Sequence, residues 1–501
     1  MPRSGFSRRH WAPPLAAIML TVGCNKPAPV DDGAVEPGLV RSGAWGVSDP
    51  EADAGAALGA AQAMLVGADA LDPTRAPAQP DPPGQAAPEP APEPAWTLPE
   101  DYLRFDGACS PGKRITLAFG GDLLLHHELQ EQAYASKQGA AVLWAGIADL
   151  LAEPDLTYLN LEGPMAYGLD RDFLEVEDPG RTFDRVVYTS YPRFNYHASI
   201  AKDLVAAGID IVSTANNHSL DRGPVGVDRT VAALRKAKLE FVGTRGSGEL
   251  ERLYTITKVG GFEIAWIACT RNTNRVPDDL DQVLQCGSGS AVEAVIRKLR
   301  STGRNHNRAA KVDAVIVTPH WGKEYVHTPR EAEQKLAQRW IDAGAIAVIG
   351  SHPHVVQPWT KLVSEDGREG LVLYSLGNFA SHQPELGRRS SLLLYLSLVQ
   401  ADDGELHIAG VRHLPLHVRE DSDEFFVEAI DRVSGPADAR ALIVALLGAG
   451  NLVTPDEPKL ADPHCDEDWR PHPIPEWAKL AKPIVIAGSE EPPDNDPEYA
   501  G

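Results

Sequence analysis

The chain is short of positive charge. Its 501 residues include 47 lysines and arginines against 70 aspartates and glutamates, a formal net charge of −23. Because nucleic-acid binding relies on basic side chains that neutralise phosphates, this balance argues against a nucleic-acid partner. Part of the excess lies in residues 489–501, which carry five acidic side chains and no basic one. We expect a solvated tail there.

Two common signatures of catalysis are also missing. The chain has no Gly-x-Ser-x-Gly motif and no P-loop ending in Gly-Lys-Ser/Thr. The first absence removes support for a nucleophile elbow, and the second removes support for a nucleotide cradle. Any catalytic chemistry therefore has to come from other polar side chains.

Residues 1–24 have the pattern of a secretory signal peptide. Three arginines lie within the first nine residues, and the mostly apolar run 11–22 is too short to span a bilayer comfortably. Cys24 follows a glycine, as in a bacterial lipobox, although Thr21 takes a position usually held by leucine. The alternative is an ordinary cleaved signal with an incidental cysteine. We favour a lipidated Cys24, and so an exported, membrane-anchored lipoprotein of the cell envelope, because this explains the odd cysteine count.

Cysteine is scarce, with five residues in all. The four besides Cys24 would meet an oxidising compartment after export, where three alternative pairings are open to them. A bond between Cys269 and Cys286 would close a short loop, and one between Cys109 and Cys465 would clasp the two ends of the domain. Buried free thiols are the alternative.

Composition divides the chain after the signal peptide into three parts. Residues 25–109 are rich in alanine and proline and predict a disordered linker, because such a segment buries too little apolar surface to offset its ordering entropy. Residues 110–450 predict the folded domain. Residues 451–501 are again polar and rich in proline, and predict an acidic tail.

Apolar runs typical of buried strands alternate with helical patterns in the predicted domain. The strand-like runs are residues 115–119, 156–159, 209–214, 314–318 and 345–349. The helical patterns are residues 141–151, 198–207, 225–237, 291–299 and 330–343. This alternation predicts βαβ units, whereas a hairpin at residues 254–269 and several strands without helices in residues 371–418 add antiparallel pairing. The pattern predicts an α/β protein built as a layered αββα sandwich.

Each of the five strand-like runs ends in a polar cluster. The clusters contain Asp122, then Asn160 and Glu162, then Asn216, Asn217 and His218, then His320, and finally His352 and His354. In open α/β sheets the chemistry lies beyond the carboxyl ends of the strands, and these residue types are ligands of hard and borderline metals. His352 and His354 are two residues apart, so an extended backbone would place both rings on one side. The sequence therefore predicts a metal site.

His218 is a candidate general acid rather than a ligand, because Asp221 lies three residues on and can orient its imidazole. His126 and His127, just past the first cluster, are either an exposed pair or an extra ligand, and we favour the exposed pair.

The chain resembles the bacterial capsule synthesis protein family CapA, which is associated with poly-γ-glutamate. The matching strings are Phe119-Gly120-Gly121-Asp122, Asn160-Leu161-Glu162-Gly163-Pro164, Ala215-Asn216-Asn217-His218-Ser219-Leu220-Asp221-Arg222-Gly223, His320-Trp321-Gly322-Lys323-Glu324-Tyr325, Gly350-Ser351-His352-Pro353-His354 and Tyr374-Ser375-Leu376-Gly377-Asn378-Phe379. That family is similar to the calcineurin-like metallophosphoesterases, which implies a four-layer αββα sandwich with two metals.

The resemblance implies roles for individual residues. Asp122, Glu162 and His354 would hold one metal, and Glu162, Asn217, His320 and His352 would hold the second. The ligands would be supported by Asn160, Asn216, Glu324 and Asn378, and His218 with Asp221 would act near the leaving group. Two positions depart from the metallophosphoesterase pattern: Leu124 stands where that pattern has histidine, and Glu162 where it has a bridging aspartate.

We therefore expect an exported metal-binding protein, with one or two divalent ions of Mn, Zn or Fe. It would act in the synthesis, export or attachment of an anionic envelope polymer such as poly-γ-glutamate by metal-assisted hydrolysis or transfer, within a membrane synthase complex. One alternative is a genuine metallophosphoesterase acting on an envelope phosphodiester or a nucleotide. Another is a non-catalytic accessory protein that only binds the polymer.

Overall fold

The computed structural model describes residues 101–249, 254–301 and 312–457, and most positions from 459 to 486. The predictions for the signal peptide, Cys24, most of the linker and the acidic end of the chain lie outside these residues. Within the part of the chain that the structure describes, no helix is both long and apolar enough to cross a membrane.

Fourteen strands lie in the described residues. They are β1 Arg114–Leu123, β2 Leu156–Leu161, β3 Ile211–Ser213, β4 Glu240–Val242, β5 Tyr254–Val259, β6 Phe262–Thr270, β7 Ala314–His320, β8 Ala347–Ile349, β9 Trp359–Val363, β10 Glu369–Leu373, β11 Asn378–Ala380, β12 Ser390–Gln400, β13 Leu406–Asp421 and β14 Glu424–Ala429. All five strand-like runs of the sequence are strands. The third and fifth are shorter than predicted.

Nine α-helices lie in the same residues. They are α1 His127–Ala135, α2 Ala148–Ala152, α3 Ser199–Ala206, α4 Gly223–Ala237, α5 Ser290–Ser301, α6 Glu331–Ala343, α7 Leu386–Arg389, α8 Ile430–Val433 and α9 Ala437–Leu447. Short 3-10 helices cover Gly139–Ile147, Pro463–Cys465 and Glu476–Leu480. The helix predicted at 141–151 is thus a 3-10 segment followed by α2. Trp144 leaves helical geometry there, with φ −126° and ψ 21°, and buries its indole.

The strands form two sheets. The first has the order β14-β13-β12-β1-β2-β3-β4, with β11 paired to β1, and the second has the order β5-β6-β7-β8-β10-β9. Strands β1 to β4 are parallel, as are β6, β7, β8 and β10, whereas β12, β13 and β14 form an antiparallel meander. The predicted hairpin is β5–β6.

The alternation of side chains along the strands produces three hydrophobic cores. In β1, Leu117 points between the sheets while Ala118 packs towards α1 and α3. In β7, Ile316 points between the sheets while Val317 packs against α5 and α6. Three cores separate four layers, so the predicted αββα sandwich is confirmed.

Two disulfides join the four described cysteines, and they are the two bonds considered from the sequence. Cys109 is bonded to Cys465, and Cys269 to Cys286. Near the first bond, Asn451 is buried and its side chain exchanges two hydrogen bonds with the backbone of Leu103. The packed part of the chain therefore extends beyond residues 110–450 at both ends.

Candidate metal centre

The predicted site residues lie where the carboxyl ends of both sheets meet. Strands β1, β2 and β3 of the first sheet lead into Asp122, Glu162 and Asn217, while β7 and β8 of the second sheet lead into His320 and the His352 turn. Because the ends of parallel strands share one edge of a sheet, two facing sheets bring these distant segments together. The predicted position of these clusters at strand ends agrees with the structure.

Asp122 is buried at the end of β1. Its Oδ1 accepts a hydrogen bond of 2.8 Å from Asn160 Nδ2, and its Oδ2 accepts one of 3.2 Å from the backbone of His352. A Cβ on Gly121 would lie 1.8 Å from the carbonyl oxygen of Gly377. The glycine before Asp122 therefore admits the backbone of the neighbouring segment at close range.

Glu162 has the least satisfied side chain of the centre. It is fully buried, and neither carboxylate oxygen has a hydrogen-bond partner. The ring nitrogens beside it are Nε2 of His320, at 3.5 Å, and Nε2 of His354, at 3.8 Å from Oε1. Burial alone would raise the pKa of Glu162, but the charges of His354 and His320 outweigh it and hold that pKa below its usual range. A buried carboxylate without donors needs positive charge beside it, and a divalent ion held by these histidines would supply it.

His320 is surrounded by polar partners on both ring nitrogens. Its Nδ1 lies 3.1 Å from Ser351 Oγ and 3.3 Å from Asn160 Nδ2. Its Nε2 lies 3.0 Å from Asn217 Oδ1 and 3.1 Å from Nδ1 of His352. Two imidazole nitrogens at that separation repel unless a proton or a cation lies between them. Ring nitrogens and an amide oxygen that converge beside Glu162 fit a metal ion.

The His352–Pro353–His354 segment is a turn and not an extended stretch. The φ angles of His352 and His354 are 100° and 57°, both in the left-handed region that non-glycine residues rarely adopt. The two rings nevertheless converge, with centroids 5.9 Å apart. The predicted convergence is confirmed, but the alternation argument was wrong, because left-handed backbone turns the rings inward.

His354 is oriented by Asn378. The Nδ1 of His354 lies 2.9 Å from Asn378 Oδ1 and 3.3 Å from Asp122 Oδ2, which leaves Nε2 towards Glu162. Burial opposes protonation, but Glu162 and then Asp122 raise the pKa of His354 to about 10. The amide of Asn378 is itself fixed by Gln383 Oε1 at 2.9 Å. The support predicted for Asn378 is thus present as a hydrogen bond.

Three overlapping groups of side chains can hold a metal ion in the described residues near the centre. They are Asp122, Glu162 and His354; Glu162, His320 and His352; and Glu324, His352 and His354. The first group is one predicted ligand set, and the second is the other set without Asn217. The Oδ1 atom of Asn217 contacts Nε2 of His320, a member of the second group. The third includes Glu324, for which the sequence predicts only a supporting role.

His218 lies beside the ligands but outside the three groups. Its Nδ1 is 2.7 Å from Asp221 Oδ2, and the same oxygen accepts a hydrogen bond of 2.6 Å from the backbone of Phe194. Burial lowers the tendency of this ring to protonate, but Asp221 more than compensates and raises the pKa of His218 above its ordinary value. The predicted pairing of His218 with Asp221 is present in the structure.

Asn216 contacts the centre weakly, through a hydrogen bond of 3.5 Å from its Nδ2 to Asn160 Oδ1, and contacts the nearby backbone more closely. Its Nδ2 donates to the carbonyl of Leu161 at 2.8 Å, which ties the loop after β3 to the end of β2. Its backbone N–H donates to Ser219 Oγ at 2.8 Å. These bonds hold the neighbouring Asn217 and His218 in position.

The centre opens into a cleft of about 360 Å³. Its lining includes His218, His354, Glu324, Tyr325 and Leu124. The buried aliphatic side chain of Leu124 takes part in the wall and offers no ligand. The cleft therefore gives His218 and the ligands a common opening to solvent.

Sequence reasoning missed four residues that shape the centre. Ser351 contacts His320, Phe194 stacks edge-on against His218 with ring centroids 4.8 Å apart, and Gln383 fixes Asn378. Asn274 reaches within 3.4 Å of His218 Nδ1 from the loop that the Cys269–Cys286 disulfide closes. Only Ser351 carried a signal, because it lies in the Gly-Ser-His-Pro-His string. The other three lie on loops whose course the sequence does not reveal.

His126 and His127 are outside the metal groups of the described chain. The Nδ1 of His126 lies 3.1 Å from the carbonyl oxygen of Leu124, and burial lowers the pKa of His126 to about 4. The Nδ1 of His127 lies 3.1 Å from Glu128 Oε2. The predicted exposed pair was wrong, because both histidines are half-buried, and neither belongs to a metal-holding group of the described residues.

Comparisons with known proteins match the part of the chain that contains this centre. The family model described as "Bacterial capsule synthesis protein PGA_cap" matches residues 116–383, which contain every residue of the three groups. The capsule biosynthesis protein CapA of Bacillus anthracis is 26% identical over 320 residues, 64% of this chain and 71% of that protein. The PGA biosynthesis protein CapA of Bacillus subtilis (strain 168) is 24% identical over 315 residues, 62% of this chain and 75% of that protein.

Two solved structures are also similar in part. A hypothetical protein from Thermus thermophilus matches with a TM-score of 0.35 and 15% identity, over 60% of this chain and 99% of that chain. The NAD nucleotidase NadN of Haemophilus influenzae matches with a TM-score of 0.38 and 12% identity, over 70% of this chain and 65% of that chain. The fold assignment rests on the sheet topology and not on these scores.

Proposed function

The chain belongs to the bacterial capsule synthesis protein PGA_cap family, and from that premise we propose that it acts in making, exporting or attaching an anionic envelope polymer such as poly-γ-glutamate. Two Bacillus relatives are named for capsule and PGA biosynthesis, which supports this role. The proposed reaction is a metal-assisted hydrolysis or transfer. The proposed partners are the polymer or a phosphodiester, and a membrane synthase.

One observation carries the metal dependence. The carboxylate of Glu162 is fully buried and lacks any hydrogen-bond partner, yet ring nitrogens of His320 and His354 face it. Such a carboxylate is costly to bury without a cation. Asp122, Glu162 and His354 would hold one ion, and Glu162, Asn217, His320 and His352 would hold the other. Bound divalent ions supply Lewis acidity towards a phosphoryl or carbonyl oxygen.

In this proposal His218 supplies the proton. Asp221 accepts from its Nδ1, which fixes the ring and leaves the other nitrogen for the cleft. Asp221 raises the pKa of His218 against the effect of burial, which favours the protonated ring that a general acid needs. A protonated imidazole beside the substrate can donate to a leaving oxygen or nitrogen. Phe194 packs against the ring and donates its backbone N–H to Asp221, so it stabilises the pair.

The test compares two variants of the purified protein. His352→Ala removes a ligand and should lose metal, whereas His218→Asn should keep metal and fold and lose about 10²–10⁴-fold in rate. Hydrolysis would be measured on poly-γ-glutamate and on a panel of phosphodiesters. Cleavage of phosphodiesters alone would favour the metallophosphoesterase alternative.

A wild-type protein that binds metal but turns over neither class would contradict the enzymatic part of the proposal. If His218→Asn also supports normal polymer production in cells, the non-catalytic accessory role takes its place. Loss of metal from His218→Asn would show instead that His218 is a ligand.

We also propose that the protein is exported and anchored through lipid on Cys24. The signal-like residues 1–24 support this, and a lipoprotein with two or three acyl chains is anchored stably. Wild-type protein should sediment with membranes, and Cys24→Ser should release it into the soluble exported fraction. Wild-type protein found entirely in that soluble fraction would contradict the anchor.

A further inference from the structure

Glu324 belongs to the centre in a way that its predicted supporting role does not cover. One of its carboxylate oxygens lies within 4.8 Å of a ring nitrogen of His352 and of one of His354. Both rings are buried, whereas Glu324 is exposed and lines the cleft. Its carboxylate therefore approaches these histidines from the solvent side, while Asp122 and Glu162 are fully buried.

Backbone contacts fix the position of Glu324. The segment before it turns at Gly322, whose φ is +93° and whose added Cβ would lie 3.0 Å from Pro353 Cγ. The N–H of Trp321 donates to the carbonyl of Ser351 at 3.0 Å, and the N–H of Tyr325 donates to the carbonyl of Pro353 at 2.8 Å. The turn that carries Glu324 is thus docked onto the turn that carries the two histidines.

Among the described residues, no lysine or arginine forms an ion pair with Glu324. The guanidinium of Arg388 lies over the ring of Tyr325, 3.5 Å from its centroid, but its ion pair is with Glu385 at 3.0 Å.

The charge balance of the centre favours one more carboxylate. Two divalent ions bring four positive charges, and the inner carboxylates Asp122 and Glu162 return two negative ones. Hard and borderline ions bind more tightly as ligand charge increases. Leu124, on the cleft wall, contributes nothing to this balance.

We propose that Glu324 is a ligand, from the solvent side, of the ion held at His354. The inference rests on the proposed metal dependence and assigns to this ion a third carboxylate besides Asp122 and Glu162. Because Glu324 is exposed, it holds the ion at the mouth of the cleft, where open coordination positions face incoming substrate. An ion site that lacks a ligand at Leu124 is completed in this way.

The experiment titrates metal-free full-length protein with Mn²⁺ and follows free Mn²⁺ by electron paramagnetic resonance. Wild type should bind two ions. Glu324→Gln should keep one ion at wild-type affinity and weaken the other by at least about tenfold, since even residues behind a ligand change affinity by 10–100-fold. The control is Glu385→Gln, an exposed glutamate paired with Arg388, which should bind as wild type does.

The outcomes separate this inference from the proposed function. Wild-type binding of two ions with an unchanged titration for Glu324→Gln would overturn the role of Glu324 and leave the metal centre intact. Failure of the wild type to bind any ion would overturn both. Thermal unfolding of Glu324→Gln, followed by circular dichroism, should match the wild type in the metal-free state, because the side chain is exposed.

Discussion

The half of the centre built on the first sheet differs from the half built on the second in ligand type and in backbone. Asp122 lies at the end of β1, where the pairing register shifts, Glu162 follows β2, and both bring carboxylates. His352 and His354 lie on a left-handed turn and bring imidazoles. Carboxylates at strand ends are placed by the sheet itself, whereas the histidines depend on a turn held by a few hydrogen bonds. The first half sets the charge of the centre, and the second half sets its shape.

The largest effect should come from the first half. Glu162→Gln removes the carboxylate common to two of the ligand groups, so affinity for both ions should fall by at least about 100-fold, beyond what supporting residues give. Mn²⁺ titration of the metal-free protein measures it. The matched control is Glu333→Gln, because Glu333 is also buried but is satisfied by Arg330 at 2.8 Å. The control should lose stability and keep its ions; equal metal affinity in both variants would contradict the assignment.

A smaller effect should follow from the residue that orients the second half. Asn378→Ala removes the oxygen that accepts from His354 Nδ1, and affinity for the ion at His354 should fall about 10–100-fold. Asn378→Asp keeps that oxygen and should recover most of the loss. If both variants bind metal equally weakly, the orienting hydrogen bond is not the cause.

A buried histidine outside the centre should make the stability of the fold depend on pH. His413 in β13 is buried, donates to the carbonyl of Gly448 at 2.9 Å, and burial lowers its pKa to about 4. Since its unfolded pKa is near 6.5, the stability it contributes is present above that pH and is lost as the pH falls towards 4. On going from pH 7.5 to pH 5, the free energy of unfolding of the wild type should therefore fall by about 2 kcal/mol more than that of His413→Gln. Urea unfolding at both pH values measures the difference; equal losses would contradict it.

The smallest effect concerns the turn that supports the second half. Gly322 and Gly367 both have positive φ, +93° and +84°, but only Gly322 has a neighbour within 4 Å of an added Cβ. Alanine at either position should lower the free energy of unfolding by about 1–2 kcal/mol, because an L-residue disfavours left-handed backbone. Gly322→Ala should cost more than Gly367→Ala, because Pro353 has to shift, and it alone should weaken metal binding. Thermal unfolding with Mn²⁺ titration tests both; equal behaviour of the two variants would remove the docked-turn argument.

The two halves also differ in how far the sequence predicts them. Apolar runs that end in Asp122 and Glu162 follow the period of a strand, so both the element and the ligand could be read from local pattern. His352 and His354 converge as predicted, but their approach depends on φ values that no local pattern encodes. The short distance from Glu324 to the histidines was not predicted, because it depends on contacts between two turns separated in sequence. The contacts of Gln383 and Asn274 were not predicted, because the path of a loop cannot be inferred from its sequence pattern.

The central claim is that the carboxylates of the first sheet and the histidines of the second hold metal together. Anomalous diffraction at the manganese edge, from crystals of protein loaded with Mn²⁺, tests it most directly. The account predicts anomalous peaks in the space bounded by Glu162, His320, His352 and His354, and none there in crystals of Glu162→Gln. Folded wild-type protein that takes up Mn²⁺ only at surface positions, with no peak beside Glu162, would contradict the account.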